Sequence, residues 1–159
     1  MNRNRTADLQ DTRLDVKVVL SGLWICMLFV FAYVDIFGFW RTDVINGALD
    51  GKVPGPGFEI NQAFLVYSTV YILIPSLMVV VSLLAPARTN GATNIVVSLV
   101  YLASVVVSMI GESWIYYILG SVVEVLLLLA IARAAWTWPR RAAPVTTAGV
   151  DVAASAIAP

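Results

Sequence analysis

The chain has 159 residues and no formal net charge, with 60% hydrophobic and 13% charged side chains. Soluble domains average about 45–50% apolar and about 25% charged residues, so this composition indicates that lipid is the protein's main solvent. The balanced charge excludes a nucleic-acid binder, which would need a basic face. No histidine is present and Cys26 is the single cysteine, so we expect no metal site, no disulfide within the chain and no cofactor.

Four segments are long and apolar enough to cross a bilayer, since a spanning helix needs about 20 mostly apolar residues. After an N-terminal segment, residues 1–17, the predicted spans are 18–40, 63–84, 92–110 and 114–136. The first span is longer than the apolar core of a cleaved signal peptide, so we expect it to be retained. Residues 139–159 are predicted to form a disordered tail. The sequence therefore predicts an all-α integral membrane protein, an antiparallel bundle of four transmembrane helices.

The first connection, residues 41–62, carries a helical pattern of its own. Apolar residues at positions 44, 45, 48 and 49 follow helical spacing, with Thr42 as the N-cap and Gly51 just beyond the last turn. We predict a short helix on the membrane surface there. The run Pro54-Gly55-Pro56-Gly57 then turns the chain back toward the second span.

The other two connections are short. Residues 86–91 form the second, with Pro86 as a helix stop and Asn90-Gly91 as a turn signal. Gly111-Glu112-Ser113 form the third, so the last two helices must be neighbours. Glu112 is expected to be a solvated turn residue.

The distribution of basic residues predicts the orientation, because lysine and arginine accumulate on the cytoplasmic side. Arg41 and Lys52 lie in the first connection, whereas the other eight of the ten basic residues fall on the opposite side. We therefore expect a cell-membrane protein with cytoplasmic N- and C-termini and with the long first connection outside.

Two carboxylates lie inside predicted spans, where a charge costs about 2.5–3.5 kcal/mol on insertion scales and tends to face the interior of the helix bundle. Counted from Trp40, Asp35 lies about 7 Å below the outer boundary, and Glu124 lies about 15 Å below Trp114. Side chains lean toward the N-terminus of their own helix, so the two carboxylates converge if the first and fourth helices are adjacent.

Further polar residues could join these carboxylates in one pocket in the outer half of the membrane. Tyr117, Ser121 and Glu124 share a helix face, Tyr33 could place its hydroxyl between the two acids, and Gln62 could cover the site. The predicted ligand-binding residues are Tyr33, Asp35, Gln62, Tyr117, Ser121 and Glu124. Alternatively, the tyrosines are interface anchors and Glu124 hydrogen-bonds a neighbouring helix.

A polar stripe on the third span and a proline in the second also need explanation. The stripe consists of Asn94, Ser98, Tyr101, Ser104 and Ser108. Packing between helices is the favoured interpretation over a polar conduction path. Pro75 should kink the second helix and free a backbone carbonyl about one turn earlier, near Tyr71.

Several short motifs resemble a bacterial family of small four-helix membrane proteins of unknown function. They are Tyr33-Val34-Asp35, the 58–64 stretch, the 113–117 run and Ser121-Val122-Val123-Glu124. The resemblance covers roughly residues 16 to 138. In size and arrangement the chain is also distantly similar to the DoxX-like group. Both resemblances imply the fold, and neither implies a catalytic residue.

Three classes of function are compatible with these patterns. The first is a binder or carrier of a small ligand, which in so small a bundle would require a homo-oligomer. The second, ranked equal, is a structural subunit that assembles with another membrane protein. A lipid- or quinone-linked enzyme or redox accessory ranks behind them, because no histidine-activated nucleophile and no nucleotide-binding or metalloprotease motif is present.

Overall fold

The computed structural model describes residues 14–138. It contains α1 (Val16–Gly38), α2 (Thr42–Leu49), α3 (Gln62–Leu84), α4 (Ala87–Ser108) and α5 (Ile115–Trp136). The all-α prediction is confirmed, since no strand forms between residues 14 and 138. The predicted N-terminal segment falls largely, and the predicted tail entirely, outside the described residues.

The four long helices have the length and composition of membrane spans. Each contains 22 or 23 residues, which corresponds to about 33 Å and matches a hydrocarbon core of about 30 Å. The protein is a multi-pass membrane protein, and its architecture is consistent with a four-helix membrane bundle. We call the end that carries α2 and the Gly111 turn the loop end, and the opposite end the terminal end.

The helices follow one another in space in the order α3, α1, α5, α4. α1 packs against both α3 and α5, α5 packs along α4, and α3 and α4 are the least closely packed neighbours. Gly120 permits the approach of α1 and α5, because a Cβ at this position would collide with the Val34 side chain. The predicted adjacency of the third and fourth spans is therefore present, and the first and fourth spans are also neighbours, which was the condition for the two carboxylates to converge.

Near the terminal end, a buried polar network joins α1, α3 and α4. The Asn94 amide oxygen accepts hydrogen bonds from Trp24 Nε1 at 2.7 Å and from the Ser82 hydroxyl at 3.2 Å. Asn90 Nδ2 donates to the Ser82 carbonyl oxygen at 2.7 Å. Such bonds hold membrane helices together where water cannot satisfy polar groups. The packing interpretation of the α4 stripe thus fits its buried members Asn94, Ser98 and Tyr101.

Pro75 lies inside α3 and has no backbone N–H to donate to the Tyr71 carbonyl. The Tyr101 hydroxyl of α4 donates to that carbonyl oxygen instead. The prediction that Pro75 frees a carbonyl at Tyr71 is confirmed, and the freed acceptor is satisfied by a neighbouring helix.

The first connection contains the predicted short helix, α2, although its N-cap is Arg41 rather than Thr42. Gly51 follows it with a φ of +70°, a conformation that glycine adopts without strain. The chain then reverses through residues 54–57, and the Val53 N–H donates to the Phe58 carbonyl oxygen at 2.8 Å. The turn predicted at the Pro-Gly repeat is therefore confirmed.

The second connection is shorter than predicted, and the turn expected at Asn90-Gly91 is wrong. α4 begins at Ala87, directly after Pro86, and both Asn90 and Gly91 are buried inside it. A Cβ built on Gly91 would lie 3.7 Å from the Ala135 carbonyl oxygen of α5. Here the asparagine side chain makes buried hydrogen bonds to α3 and the glycine packs beside α5, so packing overrides their local preference for a turn.

At the loop end, Arg41 clamps the end of α1 to the start of α5. Its guanidinium bonds Asp43 at 2.7 Å and Glu112 at 3.0 Å, and it lies 4.8 Å from the centre of the Trp114 ring. The expectation of a solvated Glu112 is wrong, because its side chain is only 16% exposed.

The Glu112 carboxylate also caps α5, since Oε1 accepts from the N–H groups of Ser113 at 2.8 Å and Trp114 at 3.0 Å. Burial alone would raise the pKa of Glu112, but these backbone hydrogen bonds and the Arg41 guanidinium together hold that pKa below its usual value. The carboxylate therefore stays ionised while it links the two connections.

Candidate functional site

A cavity of about 560 Å³ lies between α1, α3, α4 and α5 toward the loop end. Binding pockets for small molecules typically measure about 300–1,000 Å³. Most of its wall is apolar or aromatic, and six rings line it: Phe31, Phe58, Phe64, Tyr67, Tyr71 and Tyr117. The polar side chains of the wall are Asp35, Ser68, Ser104, Ser108 and Glu124, together with the three tyrosine hydroxyls. An apolar wall with a few convergent polar groups is typical of a ligand site.

Glu124 is the most unusual residue of this wall. Only 3% of the residue is exposed, and its Oε1 atom is buried with no hydrogen-bond partner. Position 124 lies nine residues into α5, about 13 Å from the loop end of that helix. A buried acceptor without a partner costs roughly 1–3 kcal/mol. Glu124 also belongs to the wall of the cavity, so a donor bound there would lie near this carboxyl group.

The contact between α1 and α5 explains why Asp35 and Glu124 line the same cavity. Gly120 lies midway between Tyr117 and Glu124, which are seven residues apart and so share a helix face. Val34 packs against Gly120, and Asp35 follows Val34 in the chain. The structure thus brings three of the predicted residues, Asp35, Tyr117 and Glu124, to the same cavity.

The other three predicted residues do not line it. Tyr33 is 56% exposed and lines a separate apolar groove of about 350 Å³ between α1 and α5. Gln62 is the exposed first residue of α3. Ser121 is buried within the helix packing, and its side chain lies outside the cavity wall.

The cavity also contains residues that the sequence did not indicate. Tyr71 contributes a hydroxyl that hydrogen-bonds the Ser104 hydroxyl at 2.7 Å. Ser108 lines the wall one turn beyond Ser104. The two serines belong to the polar stripe on the third span, so their helical spacing was a usable signal. Nothing in the sequence distinguished them from the buried members of that stripe.

The side of the cavity between α3 and α4 is open. Tyr67 of α3 is 73% exposed and Val107 of α4 is 65% exposed, and both line the cavity. α3 and α4 are also the least closely packed helix pair. The opening therefore lies on the outer surface of the four helices, between α3 and α4 and close to the loop end.

Comparison with known proteins gives a family. A family model described as a family of unknown function, DUF6326, matches residues 9–144. The chain belongs to this family. The search of curated proteins found no match, and neither did the search of solved structures. Membership confirms the expected resemblance to a family of unknown function, and it assigns no role to any residue of this DUF6326 protein.

Two further observations describe the chemistry of the cavity. No side chain in residues 14–138 bonds Glu124 Oε1. Over the same residues, no group of three His, Cys, Asp or Glu side chains could hold a metal ion. What the arrangement offers is one deeply placed carboxyl group in an aromatic cavity.

Proposed function

We propose that this DUF6326 protein binds a small amphipathic molecule in the cavity between α1, α3, α4 and α5, with Glu124 as the polar anchor. The observation that supports this proposal is the Glu124 Oε1 atom, which is buried at the cavity wall and lacks a hydrogen-bond partner. A ligand with a donor group would remove that cost, while its apolar body would contact the aromatic wall.

The ligand would bind near the outer face of the cell membrane. In the sequence, eight of the ten basic residues precede or begin α1, begin α4, or end or follow α5, which supports cytoplasmic termini and an outer position for the loop end. The cavity would then be reached from the outer half of the bilayer. The proposed bacterial origin and the distant architectural likeness to the DoxX-like group are expectations on which this assignment does not depend.

The second candidate is an assembly role, in which a partner helix covers the opening between α3 and α4. The exposed cavity residues Tyr67 and Val107 favour this alternative. A second copy of the chain or another membrane protein could then supply the donor for Glu124. A lipid- or quinone-linked redox role has no comparable observation in its favour.

Native mass spectrometry of the protein in lipid nanodiscs tests the proposal. We expect the wild type to carry a molecule other than phospholipid and Glu124→Leu to lose it, because leucine removes the acceptor while filling a similar volume. Glu59→Leu is the matched control, since Glu59 is exposed and lies outside the cavity wall. Thermal unfolding of each variant shows whether it is folded.

The outcomes separate the two candidates. If Glu124→Leu retains the molecule, or if the wild type carries only phospholipid, the binding proposal is wrong. A stable complex of two chains that Glu124→Leu dissociates would favour the assembly role instead.

A further inference from the structure

We propose that the cavity selects a lipophilic organic ammonium ion, an inference that rests on the proposed ligand-binding function. The charge of the wall is the first argument. Asp35, which is exposed, and Glu124, which is buried, both belong to the wall of one cavity, and among residues 14–138 no lysine or arginine lines it. A single positive charge between them would attract both acids and offset their mutual repulsion, which a neutral ligand cannot do.

The unpartnered oxygen adds a geometric argument. Glu124 Oε1 needs a donor, and an ammonium N–H supplies a charge-assisted hydrogen bond, which is shorter and roughly twice as strong as a neutral one. A single ammonium nitrogen would therefore both donate a hydrogen bond to Glu124 Oε1 and balance the negative charge of the wall.

The aromatic wall suits the rest of such a ligand. The rings of Phe31 and Tyr71 lie 6.0 Å apart, and Tyr71 stacks at 4.8 Å on Tyr101. Aromatic faces attract cations that lie within about 6 Å of a ring centre, and they also cover apolar groups. An organic ammonium ion would use this aromatic lining with its apolar groups, whereas an inorganic ion would leave most of the lining without a contact.

An anionic ligand is disfavoured by the basic residues at this end of the protein. Arg41 and Lys52 both lie at the loop end, but neither lines the cavity. The Arg41 guanidinium already bonds Asp43 and Glu112. An anion in the cavity would therefore face two carboxyl groups and gain no cation in return.

Three probes with the same two-ring skeleton test the charge preference: diphenylmethylammonium, diphenylmethanol and diphenylacetate. Binding is measured by isothermal titration calorimetry at neutral pH with the protein in phosphatidylcholine nanodiscs, and empty nanodiscs give the background from partitioning. We expect wild type to bind the ammonium ion about tenfold or more tightly than the alcohol, and the carboxylate most weakly.

Two variants separate charge from hydrogen bonding. Glu124→Gln keeps an acceptor oxygen but removes the charge, so it should lose ammonium binding by about tenfold or more and leave the affinity for the alcohol unchanged. Glu124→Leu should lose both. Asp35→Asn should weaken ammonium binding alone, and a melting temperature no lower than that of the wild type in each variant shows that folding is intact.

The results distinguish failure of this inference from failure of the proposed function. Equal or tighter binding of the alcohol to the wild type, abolished in Glu124→Leu, would overturn the ammonium preference while supporting a ligand site. No ammonium binding to the wild type would also overturn it, and the nanodisc mass spectra would then decide the proposed function independently. A co-purified molecule that is neutral or anionic contradicts the inference directly.

Discussion

The Tyr101 hydroxyl of α4 donates a hydrogen bond to the Tyr71 carbonyl oxygen of α3. That carbonyl is the one from which Pro75 withholds a helical donor. α3 and α4 are otherwise the least closely packed neighbours, and this bond joins them together with those of Ser82 and of the Tyr71 hydroxyl. It lies beside the Tyr71 side chain that lines the cavity.

We predict that Tyr101→Phe destabilises the protein by about 1–3 kcal/mol, because it leaves the Tyr71 carbonyl buried without a donor. Unfolding in mixed micelles with increasing denaturing detergent measures the change. In a Pro75→Ala background the same substitution should cost less, since an alanine at this position restores the backbone N–H that the proline lacks. Equal costs in both backgrounds would show that the hydroxyl does not compensate for the proline.

The close approach of α1 and α5 gives a second prediction. Gly120→Ala should destabilise the protein by about 1–3 kcal/mol, because the new methyl group collides with Val34 and forces the helices apart. Adding Val34→Ala should recover part of the loss. Gly22→Ala is the control, since a Cβ there has no heavy atom within 4 Å. Detergent unfolding of the four proteins is the measurement, and a similar loss for Gly22→Ala would argue against a specific contact.

Acid should weaken the clamp at the loop end. Since the pKa of Glu112 is lowered in the folded protein, its ionised form contributes stability that is fully present above the unfolded-state pKa, near 4.3 for glutamate. That contribution is lost as the pH falls through the lower, folded pKa. For a small ion pair at the edge of the membrane, we expect a contribution of about 1 kcal/mol or less.

Melting temperatures at neutral and acidic pH check this prediction. Wild type should be more stable than Glu112→Gln at neutral pH, and the difference should shrink on acidification. Glu59→Gln serves as the control, since Glu59 makes no salt bridge in the described part of the chain. A difference between wild type and Glu112→Gln that is constant with pH would contradict the clamp's dependence on charge.

Orientation can be measured in intact cells by labelling with an impermeant thiol reagent. Cys26 is first replaced by serine, because it is exposed on the surface of α1. A cysteine at Asp50 should then react in intact cells, whereas one at Thr137, at the opposite end of the helices, should react only after lysis. The reverse pattern would invert the proposed topology.

The sequence was sufficient for the helices because their signal is strong and local. Each helix can be predicted from its own residues alone. The four long apolar segments predict the spans, and the helical pattern after Arg41 with glycine at position 51 predicts α2 and its end. The Asn90-Gly91 pair failed as a turn signal because its environment is set by distant residues. The Ser82 carbonyl oxygen accepts a hydrogen bond from the asparagine amide, and Ala135 lies next to the glycine.

The site could be predicted only in part, for a related reason. In a helix that is apolar on all sides, the sequence does not show which face meets which neighbour. Asp35, Tyr117 and Glu124 reached one cavity, but Tyr33 did not. Residues two apart on a helix point about 200° apart, so Tyr33 and Asp35 could not both face it. The ion pair of Glu112 could not be predicted from the sequence, because its partner Arg41 lies 71 positions away in the chain.

Because the cavity opens between α3 and α4, the concentration of a proposed ligand in the lipid, rather than in the water, would govern how much of the cavity is filled. Tyr67 and Val107 flank it on the faces of two membrane spans, so a molecule that reaches Glu124 by this path first dissolves in the lipid phase. If the cavity binds a ligand as proposed, its occupancy would depend on the mole fraction of that ligand among the lipids, and a weakly water-soluble compound would fill the cavity at a low aqueous concentration. Affinities for this protein should therefore be compared per mole of lipid rather than per litre of buffer.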